Sequence, residues 1–279
     1  MRKRDAFTLI ELLVVIAVIA VLMAILMPAL KIAREQARGI NCLANQRSLA
    51  QAYIMYADEN EGSMPGGMAR TNPTNGVAPW VKVPGEILAD GSYTAISGNV
   101  TIEQRYNGLR AGALFPYVRE VDAYHCPGDM RKNQGTSVDA TSQYRIFRSY
   151  SLPDYLAAVA STDPKKLFSF KEQAIKMLFV EEIYDGASGN HNVDGWSYIP
   201  YDGSLWDPLG NFHSDACTFS FMDGHAERKK WQDKRTVLYF NSRQEAQAQG
   251  FGKGAQFNPH NVDLDWLDQH YPGKTHMGQ

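Results

Sequence analysis

Residue types able to do chemistry fall in four places along the 279 residues. The first is Glu11, a single carboxylate near the start of an apolar run from Phe7 to Leu30. Those 24 residues make a helix of about 36 Å at a rise of ~1.5 Å per residue, against a hydrocarbon core of roughly 30 Å. An ionisable group there is costly, about 2.5–3.5 kcal/mol at the bilayer centre and less toward the interface, so it marks a functional site that needs a partner. The second place is the cluster His213, Asp215, Asp223 and His225. Read for function, these are metal ligands or acid–base groups. Read for structure, Asp223-Gly224 is a tight hairpin turn and His213 hydrogen-bonds to it; the structural reading is preferred. The third is Glu181-Glu182, where paired carboxylates suggest a hydrolase. Successive strand residues point to opposite faces, so these two do not work as a pair, and one of them ties down a loop. The fourth is the three cysteines, Cys42, Cys126 and Cys217. They allow one disulfide plus a leftover thiol or three buried thiols, and their spacing to each other and to histidine suggests no zinc site. No phosphate-binding loop, dinucleotide fingerprint or nucleophile elbow is present.

The elements that position these groups follow from periodicity. Pro28 should kink the first helix without ending it. Beyond it Leu30, Ala33, Ala37, Ile40, Ala44, Leu49, Tyr53 and Tyr56 recur at three- to four-residue spacing, with Arg34, Glu35, Arg38, Gln46, Arg47 and Gln51 between them. The helix should run to about Asn60 and stop at Gly62, some 80 Å in all. Ser63 to about Asn107 reads as irregular chain with short strands, anchored by Trp80 and Tyr93. Leu109 to Asp129 contains Gly112-Ala113-Leu114-Phe115-Pro116-Tyr117-Val118 and then Tyr124-His125-Cys126-Pro127-Gly128-Asp129, and Arg131 to Gln143 is polar. Ser149 to Leu152 is a short strand, Asp154 to Ala160 a helical turn, and Lys176 to Ile183 a buried strand. Asp185 to Gly210 is loop with Trp196 and Trp206. Ala216 to Trp231 alternates as a β-hairpin, Ser242 to Gln249 is helical, and Asn261 to His270 is a short amphipathic helix.

Composition narrows the classes. The chain is 44% hydrophobic and 21% charged, with formal net charge −2. Roughly 220 residues remain beyond the first helix, enough for one substantial domain. A near-neutral charge without a long basic cluster gives no support for a nucleic-acid partner. Arg2, Lys3 and Arg4 read as a positive-inside signal, which puts the amino terminus in the cytoplasm and everything after Leu30 outside. The apolar run continues into amphipathic helix, so no ordinary signal-peptidase site is expected after it.

Ala6-Phe7-Thr8-Leu9-Ile10-Glu11, behind its basic head, resembles the processing site of type IV prepilins and of type II secretion pseudopilins, with Ala6 where the family usually has Gly. The resemblance implies cleavage between Ala6 and Phe7 by a prepilin peptidase, N-methylation of Phe7, and a retained membrane helix with Glu11 as the assembly carboxylate. The freed amine of Phe7 is positive, and Glu11 lies four residues on. In a bundle of subunits each Glu11 could face a neighbour's amine, which offsets two desolvation costs and fixes the axial register. The segment from Cys42 to Asn60, the Cys126-Pro127 turn, and His213 followed by nine residues and Asp223-Gly224 resemble a subgroup of bacterial pseudopilin-like proteins with a carboxy-terminal H-X9-DG element. Cys42 and Cys126 both lie in these family-like segments, which makes them the favoured pair if a disulfide forms. Some related pseudopilins hold calcium; Asp202, Asp207 and Asp215 are candidates here, although their spacing matches no dense calcium loop.

The expectation is an α+β, pilin-like fold: a leader at 1–6, a membrane and polymerisation helix at 7–30, its amphipathic continuation at 31–62, and an extracytoplasmic domain at 63–279 that includes the hairpin at 213–231. The expected role is a structural subunit of a pseudopilus or pilus-like filament, not an enzyme. Its partners would be the prepilin peptidase and methylase, other pilin-like subunits, an inner-membrane assembly platform and membrane lipid, with no nucleic acid and no required cofactor. The alternative is a membrane-tethered enzyme or carbohydrate-binding protein exported with a prepilin leader. A cleft in which His213, His225 and a carboxylate converge would favour the enzyme.

Overall fold

A 51-residue helix, α1 (Leu9–Glu59), carries the first half of the architecture and passes through Pro28 without a break. The computed structural model describes residues 9–74, 76–96, 100–129, 148–156, 166–183, 195–200, 204–205, 207–251 and 260–273. Leu9 to Ile32 is solvent-bare on every face, its large apolar residues 45–79% exposed. The helix ends within one residue of the expected place. Gly62, at φ +80°, turns the chain away, and its N–H closes on Ala57 O at 2.7 Å.

The buried face of α1 differs from the apolar stripe expected for it. Gly39, Cys42, Gln46, Leu49, Ala50, Tyr53 and Ala57 face the domain, whereas Ile40 is 65% exposed and Ala37 and Ala44 point outward. A small residue and a polar one occupy this face because specific groups meet them. Gly39 lies against the His213 ring, and Gln46 Nε2 donates to Thr218 O at 2.6 Å and Thr218 Oγ1 at 3.0 Å. Counting hydrophobicity alone rejects both positions.

After α1 the chain forms a small hairpin, β1 (Gly85–Ile87) with β2 (Tyr93–Ala95), and then α2 (Ile102–Arg110). This helix corrects the expectation of irregular chain to Asn107. Thr101 caps it, and Gln104 returns the bond to the Thr101 N–H at 2.8 Å, a reciprocal box that fixes the helix start. Trp80 is fully buried, stacked on Tyr124 with Arg148 across its ring; Tyr93 is only half-buried. A single turn, α3 (Phe115–Val118), and a 3-10 turn at Asp122–Tyr124 lead to the Cys126-Pro127 corner.

One four-stranded antiparallel sheet organises the rest, in the order β3 (Tyr150–Ser151), β4 (Met177–Glu181), β7 (Ala216–Phe221), β8 (Ala226–Lys230). Between β4 and β7 runs a two-residue ribbon of β5 (Tyr198–Ile199) and β6 (Ser204–Leu205). The helices α4 (Lys234–Asn241), α5 (Arg243–Ala248) and α6 (Val262–His270) follow; only α4 has no counterpart in the expectations. The helical turn at Asp154 is seen as Asp154–Leu156, and the rest of that expected turn, the stretch 131–143 and Trp206 lie outside the described residues. The content is α+β, as expected.

Every residue of β7 is buried, because the sheet is covered on both faces. Phe219, Phe221 and Cys217 enter one core with Trp231, Tyr239, Phe240 and Leu264. On the other face Met222, Leu178 and Phe179 enter a core with α1 and Trp80. A bulge in β4 sets which residues go where. Met177 pairs with Phe221 but Phe179 pairs with Ser220, so Leu178 is the extra residue. A one-residue slip exchanges the two faces of a strand. Phe179 and Glu181 are thereby delivered to the α1 face rather than to the face that Met177 occupies.

Candidate functional site

Two places carry the functional groups: the bare half of α1 and a buried junction where α1 meets the sheet. Glu11 lies in the first turn of α1, surrounded along the helix by exposed Leu9, Ile10, Leu12 and Leu13. Ala6 and Phe7 lie outside the described residues. The helix is long and apolar enough to cross a membrane, and none of its most apolar stretch is covered by the rest of the protein. It fits a single-pass membrane anchor.

The His213–Asp223 region does not form the cluster that sequence proximity suggested. His213 and His225 stand at opposite ends of the β7 segment and do not converge. At the turn, Asp223 Oδ1 accepts from His225 N at 3.1 Å and meets His225 Nδ1 at 2.6 Å. Gly224, at φ +91°, closes the turn with its N–H on Phe221 O. His213 does not bond to this turn, contrary to expectation. Its Nε2 instead faces Glu181 Oε1 at 3.1 Å and Cys126 Sγ at 3.3 Å.

His213 and Gly224 each come close to α1. A Cβ built on Gly39 falls 3.8 Å from His213 Nδ1, and one on Gly224 falls 3.2 Å from Ile54 Cδ1 and 3.9 Å from Gln51 Cγ. His213 and the Asp223-Gly224 turn thus both lie against α1, at separate points along it.

The junction itself contains Cys42 from α1, Cys126 from the Cys-Pro corner, Glu181 from the end of β4, and His213. All four are buried, and one ligand-type atom from each lies within 4.8 Å of the others. Cys42 Sγ is 2.6 Å from Cys126 Sγ and 2.9 Å from Glu181 Oε1. With the two His213 contacts these distances close a ring of four donors. Tyr150 OH sits 3.0 Å from Cys42 Sγ, Gly128 N donates to Cys126 Sγ at 3.3 Å, and Thr218 N donates to Glu181 Oε2 at 2.8 Å. The favoured pair, Cys42 and Cys126, has its sulfurs 2.6 Å apart, wider than a disulfide bond and closer than ordinary thiol contact. Cys217 lies on the other face of the sheet, near Glu181 O at 3.7 Å.

The environment shapes the charges. Burial pushes the Cys42 thiol up to about 11; the Cys126 contact opposes this and the Glu181 charge adds to it. Burial also drives Cys126 far above the ordinary thiol range, reinforced by Cys42 and Glu181. For His213, burial pulls the imidazole down, but its bonds to Cys126 and Glu181 outweigh that and hold it up to about 10. Glu182, on the opposite face from Glu181, accepts from Ser151 Oγ, so the adjacent glutamates serve different sites.

The other candidates are elsewhere. Asp207 Oδ2 accepts from Ser197 N at 2.8 Å, and Asp215 Oδ1 accepts from Asn211 Nδ2 at 3.2 Å. Asp202 lies outside the described residues. Among the described residues, Asp207 and Asp215 join no group of three metal-ligand side chains. Glu181 and His213 were not foreseen as partners of the two cysteines; the four are 32 to 139 residues apart along the contacts, and no local pattern links them.

A family model described as the prokaryotic N-terminal methylation motif matches residues 1–27. No curated protein and no solved structure matches the chain. The matched segment is the prepilin-type processing motif, and it runs directly into the exposed half of α1.

Proposed function

We propose that the chain is a pilin-like structural subunit of a type II secretion pseudopilus or a type IV pilus-like filament. The observation that carries this reading is continuity. Residues 9–27 of the matched methylation motif and the sheet-docked stretch from Gly39 to Ala57 belong to one helix, so a force or contact applied at the membrane end is transmitted directly to the folded domain. A peptidase cleaves between Ala6 and Phe7, and Phe7 is methylated. The protein then waits in the bacterial inner membrane with its amino terminus cytoplasmic and its domain periplasmic.

In the assembled state Glu11 pairs with the terminal amine of a neighbouring subunit, which neutralises two charges in a medium that solvates neither. Its partners are the peptidase and methylase, other pilin-like subunits, the assembly platform and lipid. The role is structural rather than enzymatic; the separation of His213 from His225 and the tying of Asp223 to its own turn support that reading. The test is Glu11→Ala expressed in a host with the matching assembly system. The variant should insert and be processed but be missing from sheared filaments; normal incorporation would refute the pairing.

A further inference from the structure

We propose that Cys42, Cys126, Glu181 and His213 are the four ligands of a structural zinc site that pins α1 to the sheet. The donors are the set zinc favours: two sulfurs, an imidazole nitrogen and a carboxylate oxygen, four in number with none left for solvent, as in closed structural sites.

Proton counting points the same way. The ring Cys42–Cys126–His213–Glu181 has four close contacts, at 2.6, 3.3, 3.1 and 2.9 Å. With Glu181 ionised, two thiols and one imidazole Nε2 supply three hydrogens for these four contacts. A single dication satisfies all four donors at once. Binding releases the two thiol protons, and any proton on His213 Nε2, to solvent.

Size agrees to within small movements. Zinc–sulfur bonds of about 2.3 Å and zinc–nitrogen or –oxygen bonds of about 2.0–2.2 Å require edges of roughly 3.4–3.8 Å in a tetrahedron. Three of the measured edges need to open by up to about 0.7 Å and the Cys42–Cys126 edge by about 1.2 Å. The outer groups suit anionic ligands. Gly128 N and Tyr150 OH point at the two sulfurs, and Thr218 N holds the second oxygen of Glu181. Beside the site, a cavity of about 460 Å³ is lined by Cys126 together with Glu120, Asp122 and Asp129, whose charges attract a cation.

The experiment uses the full chain in detergent, prepared under reducing conditions. Elemental analysis should find one zinc per chain, and the chelated protein given cobalt(II) should develop thiolate-to-cobalt charge-transfer and tetrahedral d–d bands that zinc abolishes. Cys126→Ser should weaken cobalt binding by more than about 100-fold, whereas Cys217→Ser, on the opposite sheet face, should leave it intact. If Cys126→Ser does not fold, the wild-type stoichiometry and spectrum decide. A reduced wild-type chain that gives no cobalt bands would overturn the proposal. So would protein from cells with Cys42 joined to Cys126, seen as a mass lower by two hydrogens and two thiols closed to alkylation.

Discussion

Glu181 Oε1 and His213 Nε2 stand 3.1 Å apart with their side chains 0% and 1% exposed, each brought there by a departure from regular strand geometry. The Leu178 bulge turns Glu181 to the α1 face. Ser214 and Asp215, both at positive φ, bend the chain so that His213 precedes β7 without joining it. In the metal-free chain, removing one partner of this buried pair leaves the other without compensation. Glu181→Ala or His213→Ala should each lower unfolding free energy by about 3–5 kcal/mol, read from urea titrations of the detergent-solubilised chain by tryptophan fluorescence. The double variant should fall short of the sum by at least about 1 kcal/mol. Strict additivity would mean the two do not interact.

The Asp223-Gly224 turn is expected to matter through α1. Gly224 and Gly91 both have positive φ, so alanine should cost about 1 kcal/mol at either from backbone strain. Only at Gly224 does the added methyl meet a neighbour, Ile54 Cδ1 at 3.2 Å; at Gly91 nothing lies within 4 Å. Gly224→Ala should therefore be the more damaging, and the excess should vanish in an Ile54→Ala background. Equal losses at the two glycines, by the same titration, would show that the turn does not rest on the helix.

Asp233 supplies a pH-dependent prediction. It caps α4, its Oδ1 accepting from Arg235 N at 2.8 Å while the Arg235 guanidinium closes on both oxygens at 3.0 and 2.6 Å. The Arg235 side-chain bond, over the smaller opposing effect of burial, holds this carboxyl below its ordinary 3.8. A depressed carboxyl contributes stability that is whole above 3.8 and is lost as pH falls through the folded value. Asp233→Asn, which keeps the cap but not the charge, should cost roughly 0.5–1 kcal/mol at pH 7 and progressively less below the ordinary carboxylate range. A gap between wild type and variant that stays constant down to acid pH would contradict the assignment.

Local signals made much of this structure readable in advance. The extent of α1, the β4 strand, the hairpin with its Asp-Gly turn and the Asn261-capped α6 each follow from periodicity plus one punctuating residue. Capping chemistry was also present for α2, as Thr101 and Gln104, and for α4, as Asp233, but it was outweighed by the polar composition around it. What sequence could not supply was pairing at a distance. Gly39 and Gln46 look wrong for a buried face until His213 and Thr218 are set against them. Glu181 joins Cys42 only because of a bulge that no periodicity reveals. His213 belongs by sequence to the hairpin element, yet its ring partners include Cys126, 87 residues away, and Glu181, 32 residues away, which no local spacing reveals.

The most direct test is intact-mass and peptide mass spectrometry of the protein recovered from the membranes of a cell with an active prepilin peptidase. The proposed processing gives a chain beginning at Phe7, its amine carrying one methyl group, with Glu11 and the whole apolar helix retained. A chain that still begins at Met1, or one cut beyond Leu30, would contradict it.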